Sequence, residues 1–331
     1  MGSTRKTVLV AAGVAVALAL LALTGLARPG ADDQPVAASG ADIPGRMLVR
    51  GVLPGRPQAD GPVRVVPGGA RMAGLARLRC RRLHASPAGP VLCLRVSSNG
   101  FDYEAVMLDG AGRTVARRPV AGFPSRVRVS PDGRYGAYTA FGDFDEGYFS
   151  GTEFFSTDTR ILDMRTGAVL LRLEDLDVRR DGAPVADLAY AELWGVTFGA
   201  GGRFYATAGL PRERGHLLIA GRVGSRRARV VGDHVECPSL SPDGTRIAYK
   251  RRIGKSDRWR LHVRRLDGGG DVALAERRSI DDQPEWIGDD RVAYSDGRAV
   301  FAVPADGSGA PERLAGRATS PAWLPQVGGA R

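Results

Sequence analysis

Two stretches of this chain are near copies of one another: Val129-SPDGRYGAY-Thr139 and Leu240-SPDGTRIAY-Lys250. Each reads as a strand, a tight Pro-Asp-Gly turn, and a second strand in which small and apolar residues lead to a tyrosine. Asp and Gly supply the turn chemistry, and the alternation after them suits a half-buried strand. Weaker copies are SPAGPVLCLRV at 86–96, GAGGRFYATAG at 199–209 and IGDDRVAYSDG at 287–297; Ser320-Pro-Ala-Trp323 matches only the strand that enters the turn. An internal repeat constrains a fold more than any local propensity, because each unit must bury its face against the next.

The spacing defines one period. Gly89 to Gly133 is 44 residues, Gly202 to Gly244 is 42, and Tyr249 to Tyr294 is 45. Gly133 to Gly202 is 69, so about 25 extra residues are inserted there. A second series of strands ending in Gly turns keeps the same rhythm: PVRVVPGG, VMLDG, RILDMRTG, LLIAGRVG, LHVRRLDG and VFAVPADG. A short edge-like strand follows each, such as VLLRLEDL at 169–176. Four short strands per 40–45 residues is the content of a β-propeller blade. Gly 45 and Pro 21 among 331 residues agree with a chain of many turns and few long helices. The first unit begins at its second strand (Met47-Leu-Val-Arg) and the last retains only its first, 318–324. The reading is therefore an all-β, six-bladed propeller over 46–331, with the C-terminal strand completing the blade begun by the N-terminal three and removing two open edges.

The SPDG-x-x-I-A-Y turn followed by an I/V-x-V-x-D-x-x-G strand resembles the repeat of the TolB-like, WD40-like propeller family. The resemblance covers most of 46–331, strongly at 126–139 and 237–307; VECPSLSPDGTRIAYK and DDQPEW look like stretches of the secreted or membrane-anchored actinobacterial members. It implies a propeller fold in a family without an established activity. Where TolB itself carries an α/β domain, this chain has an apolar segment and a tether. The resemblance therefore implies a shape rather than a place in the Tol–Pal machinery.

That apolar segment runs without charge from Thr7 to Ala27, preceded by Arg5 and Lys6. At about 1.5 Å per helical residue it is long enough for a bilayer core. The positive-inside rule then sends the remainder out of the cytoplasm. Residues 1–27 are expected to be a signal anchor leaving a single-pass membrane protein, or a signal peptide whose removal gives a secreted one. Residues 28–45 (RPGADDQPVAASGADIPG) read as a flexible tether.

Propellers place function at the channel mouth and in loops, because blade interiors are packed core. Positions expected to stand just before the innermost strands are Arg81, Arg82, Ser125, Arg126, Trp194, Glu236, Asp281 and Asp282. Their mixed charge suits a small polar ligand or a partner's peptide. The insertion 142–159 gathers Asp143, Asp145, Glu146, Glu153 and Asp158 with Phe144, Tyr148, Phe149, Phe154 and Phe155. It reads as a partner-contact loop, a loop folded on its own blade, or a weak Ca²⁺ candidate whose spacing does not match an EF-hand. His234 and Glu236 are expected on one strand face, with Val235 and Cys237 on the other. The four histidines (84, 216, 234 and 262) have no ligand-like spacing, so no metal and no cofactor is expected. Cys80 and Cys93 flank one turn on neighbouring strands and are disulfide candidates in an oxidising compartment, leaving Cys237 as a buried apolar residue.

No Gly-x-Ser-x-Gly elbow and no phosphate loop between a strand and a helix is present. The net charge of +11 comes almost wholly from arginine, lysine occurring only at 6, 250 and 255; together with the Ala, Gly, Pro and Val content this reads mainly as codon usage. Runs such as Arg226-Arg227 and Lys250-Arg251-Arg252 read as surface-strand charges. An anionic cell-wall polymer or a lipid headgroup is a better partner for any basic patch than nucleic acid. The functional expectation is a non-enzymatic, extracytoplasmic interaction or scaffold module contacting an extracytoplasmic protein. The alternative is a ligand-binding or metal-dependent, lactonase-like hydrolase with its site in the channel.

Overall fold

The repeated turn is held by its own serine and aspartate. In the computed structural model, which describes residues 45–66, 73–142, 156–186, 188, 191–210, 216–254 and 256–325, Gly133 N donates to Ser130 O at 2.9 Å and Gly244 N to Ser241 O at 2.8 Å. The amides of Tyr135 and Arg246 reach the hydroxyls of Ser130 and Ser241 at 2.9 and 3.0 Å. Asp132 and Asp243 accept from the amides of Arg134 and Thr245. Gly133 and Gly244 lie at φ 72° and 73°, where a side chain is strained, so the repeat requires glycine there. Neighbouring turns also lock together. Ser86 Oγ donates to Pro131 O at 2.8 Å, and Asp243 N donates to Asp289 Oδ1 at 3.0 Å.

The strands form six sheets. Taken from the inside outward, the first combines Ala318–Leu324 with Arg46–Gly51, Gly61–Val66 and Arg79–Cys80. The second runs Arg82–Ala85, Val91–Val96, Tyr103–Leu108 and Thr114–Val120. The third runs Phe123–Val129, Tyr135–Phe141, Thr157–Asp163 and Val169–Arg172. The fourth begins Glu192–Phe198, Arg203–Gly209, His216–Arg222 and Arg227–Asp233. The fifth is Glu236–Leu240, Arg246–Arg252, Trp259–Arg265 and Asp271–Ala273, and the sixth Glu285–Ile287, Arg291–Ser295, Ala299–Pro304 and Glu312–Gly316.

The innermost strands touch one another in cyclic order, the sixth blade's meeting the first's and the first's meeting the second's. Closure is made by Ala318–Leu324 pairing antiparallel with Arg46–Gly51, with Met47 opposite Trp323 and Leu48 opposite Ala322. The core repeats the count, as six separate apolar clusters, one between each pair of neighbouring blades. Six blades in an open row would have only five such interfaces. Leu48 and Ala322 sit in the cluster shared with the second blade, and Met47 and Ala318 in that shared with the sixth.

The insertion is resolved into two places. One part, 143–155, lies outside the described residues, as do residues 1–44. In the other, Val169–Arg172 ends in a 3-10 turn at Leu173–Asp175, so the edge strand is shorter than 169–176. The chain then adds two strands to the next blade. Asp177–Arg180 pairs parallel with Arg227–Asp233, and Ala183–Pro184 follows antiparallel, giving the fourth blade six strands. No helix among the described residues is long and apolar enough to cross a membrane. Cys80 and Cys93 are joined by a disulfide across Cα atoms 5.5 Å apart, and Cys237 is a buried free thiol.

The tyrosine of the repeat is fully buried in three blades, as Tyr138, Tyr249 and Tyr294. Tyr249 and Tyr294 donate to Asp271 and Glu276. The Tyr138 hydroxyl has no hydrogen-bond partner, nor has Oε2 of Glu174. Burial pushes the Glu174 carboxyl up to about 7, with Asp158 adding to the effect, against the amide of Thr159 and the charge of Arg172. A carboxyl whose folded pKa exceeds its unfolded value keeps its proton longer in the native state, so stability falls as pH rises from about 4.5 to about 7. Glu174→Gln is expected to remove that slope and to gain about 1–2 kcal/mol at pH 8, with little change at pH 4.5, in urea melts. A variant less stable than the parent at pH 8 would contradict this assignment.

Candidate functional site

The inner strands do not alternate cleanly, and this shapes the channel. Register shifts interrupt the pairing of Phe123–Val129, Glu192–Phe198 and Glu236–Leu240 with their neighbours. Gly195 and Cys237 take left-handed φ values of 67° and 50°. A Cβ on Gly195 would lie 2.8 Å from Cys237 Cα, so two adjacent bulges meet backbone to backbone. Bulges re-aim the side chains beside them. For the same reason the expected division of faces at 234–237 fails. His234, at φ 59°, is exposed outside the strand, whereas Val235, Glu236 and Cys237 are all buried. Ser125, Arg126 and Trp194 likewise fall inside their strands rather than before them, and Arg82 and Glu236 begin theirs.

Most of the anticipated mouth residues come together in one charged cluster. Arg126 of the third blade reaches Asp281, on the approach to the sixth, at 3.1 Å. Lys250 bonds the same Asp281 oxygen and lies 3.4 Å from Glu236. Glu236 also accepts from Trp259 Nε1 at 3.0 Å and lies 2.8 Å from His216 Nδ1. Trp194 sets its ring edgewise to His216, centroids 5.0 Å apart. Arg82 faces Asp282 at 3.9 Å. Ser125 receives the Arg126 guanidinium at 3.1 Å, and Arg126 Nε points at Cys237 Sγ at 3.3 Å. Burial works to raise the Asp281 carboxyl, but Lys250 and Arg126 hold it down at about 2. Arg81 turns elsewhere, over the rings of Tyr103 and Phe123 and 3.5 Å from Asp60. Asp143, Asp145, Tyr148 and Phe149 lie outside the described residues. Asp158, at the end of that segment, pairs with Arg160 at 2.9 Å.

Below the mouth, Gln283 and Glu285, on the approach to the sixth blade and at its first strand, bond across to other blades. Gln283 donates to Val196 O at 3.0 Å and Pro238 O at 2.9 Å. Arg128 makes a buried ion pair with Glu285 and donates to Pro284 O at 2.8 Å. Glu285 Oε1 accepts from the closing strand at Trp323 N, 3.1 Å away. Val129 N donates to His84 Nδ1 at 3.1 Å, and His84 Nε2 lies 3.2 Å from Glu285 Oε2 and 2.9 Å from Arg128 Nη1. Burial lowers the His84 pKa, in keeping with a neutral ring. The crevice beside Arg126, Arg128 and Gln283 has no room for a water molecule.

Lys250, His84, Arg128, Gln283 and Glu285 were not singled out by sequence. Lys250 is a correction: its run reads as surface charge, yet the side chain is buried over the Trp259 ring, 4.4 Å from its centroid. The one available signal was the polar DDQPE segment directly before an apolar strand. Among the described residues no three His, Cys, Asp or Glu side chains are gathered to hold a metal ion. Glu236 and Asp281 are instead neutralised by Lys250 and Arg126. The site holds charges in fixed places and joins blades.

No family model and no curated protein matches this chain. Among solved structures it is similar to TolB from Acinetobacter baumannii, at 18% identity over 85% of this chain and 67% of that one, with a TM-score of 0.57. A protein described as TolB from Agrobacterium tumefaciens aligns at 15% identity over 84% and 91%, TM-score 0.44. A prolyl endopeptidase aligns at 16% over 71% and 35%, TM-score 0.41. At such identities the likeness is one of fold: with its six closed blades, this chain has a β-propeller fold like that of TolB.

Proposed function

We propose that the chain is a non-catalytic interaction module, held on the outer side of a membrane by its N-terminal apolar segment and working through its surface. The observation that carries this reading is the bonding across the inner strands: Gln283 and the Arg128–Glu285 pair join facing blades, and the nearby carboxylates Glu236 and Asp281 are tied to cations. A propeller closed in this way presents loops, blade faces and rims. Two further features support the extracytoplasmic part: the uncharged run Thr7–Ala27 behind Arg5 and Lys6, and a Cys80–Cys93 disulfide of the kind that persists in oxidising compartments.

Protease accessibility on intact spheroplasts tests the topology. The propeller is expected to be cut from outside and, where the anchor is uncleaved, to stay with carbonate-washed membranes. Protection until lysis would overturn the reading. Crosslinking in the same membranes, with the intact chain and with one lacking 143–155, tests the contact role. Loss of a crosslinked protein on deletion is expected, and an unchanged partner set would remove that segment from it.

A further inference from the structure

The two extra strands of the fourth blade build a surface that no other blade has. The face turned toward the fifth blade carries Tyr205 and Ala220, which pack with Val235, Ile247 and Tyr249. Further out on the same face Ala220 is paired with Arg229, and Arg229 with Arg179 of the added strand. Beside that row Arg203 lies directly opposite Arg222. An open groove of about 630 Å³ runs here, walled by Arg179, Arg203, Arg222, Arg227 and Arg229, with Tyr205 and Ala220 at its inner end. Asp181 and Gly182, also from the insertion, form part of its outer rim.

Like charges directly opposite one another destabilise a sheet, and this face holds two such pairs, Arg203–Arg222 and Arg179–Arg229. Compensation is thin. Arg179 pairs with Asp177 at 3.0 Å, and the Arg222 guanidinium rests on the Gly201 carbonyl. Arg203, Arg227 and Arg229 have no carboxylate partner among the described residues. All five arginines are exposed, so an incoming anion would meet them without first breaking a buried pair. Guanidinium forks match phosphate oxygens two at a time, and several forks converging on one groove suit a multiply charged ligand better than a single carboxylate. The volume lies within the usual range of ligand sites, and the open sides admit a chain longer than the groove.

We infer that this groove binds a multiply charged, phosphate-bearing anion. It is separate from the channel mouth and does not depend on the surface role proposed above.

Tripolyphosphate titrated calorimetrically into the whole chain tests the site. Binding is expected at low salt and should weaken steeply as salt rises, as for any contact made by several exposed charges. Arg203→Gln/Arg229→Gln is expected to weaken it at least tenfold, with a melting temperature equal to or above the parent's because each of the two faces another arginine. The control Arg277→Gln/Arg298→Gln removes two exposed arginines of the fifth and sixth blades at equal cost in net charge, and should leave the affinity within about twofold. Poly-glutamate should bind at least tenfold more weakly. Phosphatidylglycerol vesicles distinguish the source: vesicle binding lost in the groove variant identifies a lipid headgroup. Tripolyphosphate binding without vesicle binding identifies a soluble or polymer-borne phosphate. The proposal fails if tripolyphosphate does not bind, if groove and control variants lose affinity equally, or if poly-glutamate binds as well.

Discussion

Glu285→Ala is expected to destabilise the folded protein by about 3–5 kcal/mol, the cost of leaving one member of a buried ion pair without its partner. Arg128 and Glu285 belong to the third and sixth blades, on opposite sides of the ring, and both side chains are about nine-tenths buried. Among the described residues Glu285 is the only carboxylate bonded to Arg128, and removing it leaves the cation desolvated. The Trp323 amide loses its acceptor at the same time, so the closing strand is weakened too. The paired variant Arg128→Met/Glu285→Leu should recover most of the loss, because two apolar residues carry no uncompensated charge. Asp267→Ala, which removes an exposed partner of Arg265, should leave the stability close to the parent's. Urea melts of the four proteins decide the matter. A Glu285→Ala loss no greater than that of Asp267→Ala would mean that the pair does not brace the channel. The pH dependence carries the same sign. Arg128 and His84 hold the Glu285 carboxyl below its ordinary value against the opposing effect of burial, so its contribution is present above the unfolded pKa and lost as pH falls through the folded one.

Removal of 318–331 is expected to be more severe, abolishing the single cooperative transition. The deleted strand pairs along the whole of Arg46–Gly51 and supplies Ala318 and Ala322 to two different inter-blade clusters. It also provides Thr319 Oγ1, which accepts from the buried Arg50 at 3.1 Å. Its loss uncovers a flat apolar edge of the kind that recruits other chains. A domain of ordinary marginal stability, about 5–15 kcal/mol, cannot absorb two opened interfaces. The truncated chain should bind a hydrophobic dye, lose near-ultraviolet circular dichroism and aggregate. A synthetic peptide spanning 318–325 should restore part of the native signal. A truncated chain that melts cooperatively at the parent's temperature would refute the role given to this strand.

The blade count and its closure were readable because their determinants are local. The serine, aspartate and glycine of each turn satisfy one another within a few residues, so the turn leaves its mark wherever it recurs, even where only Ser320-Pro-Ala-Trp323 survives. The mouth was readable in part for the same reason: Arg126, Trp194, Glu236, Asp281 and Asp282 belong to or approach inner strands. Their partners come from elsewhere. Lys250 lies on a second strand and His216 on a third, and each meets Glu236 only through the stacking of blades. Strand alternation misled at 234–237 because left-handed residues at His234 and Cys237 rotate the chain, and a period-two pattern carries no sign of that. Gly195 was the one visible warning. The widening of the fourth blade was hidden for a different reason. DVRR joins a sheet in parallel as its fifth strand, a pairing outside the repeat, and only the surplus of about 25 residues in the spacing hinted at it.

Cysteine crosslinking of Arg46 to Leu324 addresses the ring itself. These residues face each other at the end of the closing ladder and are not fully buried, so Arg46→Cys/Leu324→Cys can be introduced with little disturbance. On mild oxidation, peptide mapping should recover a single intramolecular disulfide joining the two ends of the propeller within one chain, formed in the native state and prevented in urea. Recovery of only intermolecular disulfides, or of none while the protein remains folded, would contradict a six-bladed ring fastened by its own last strand.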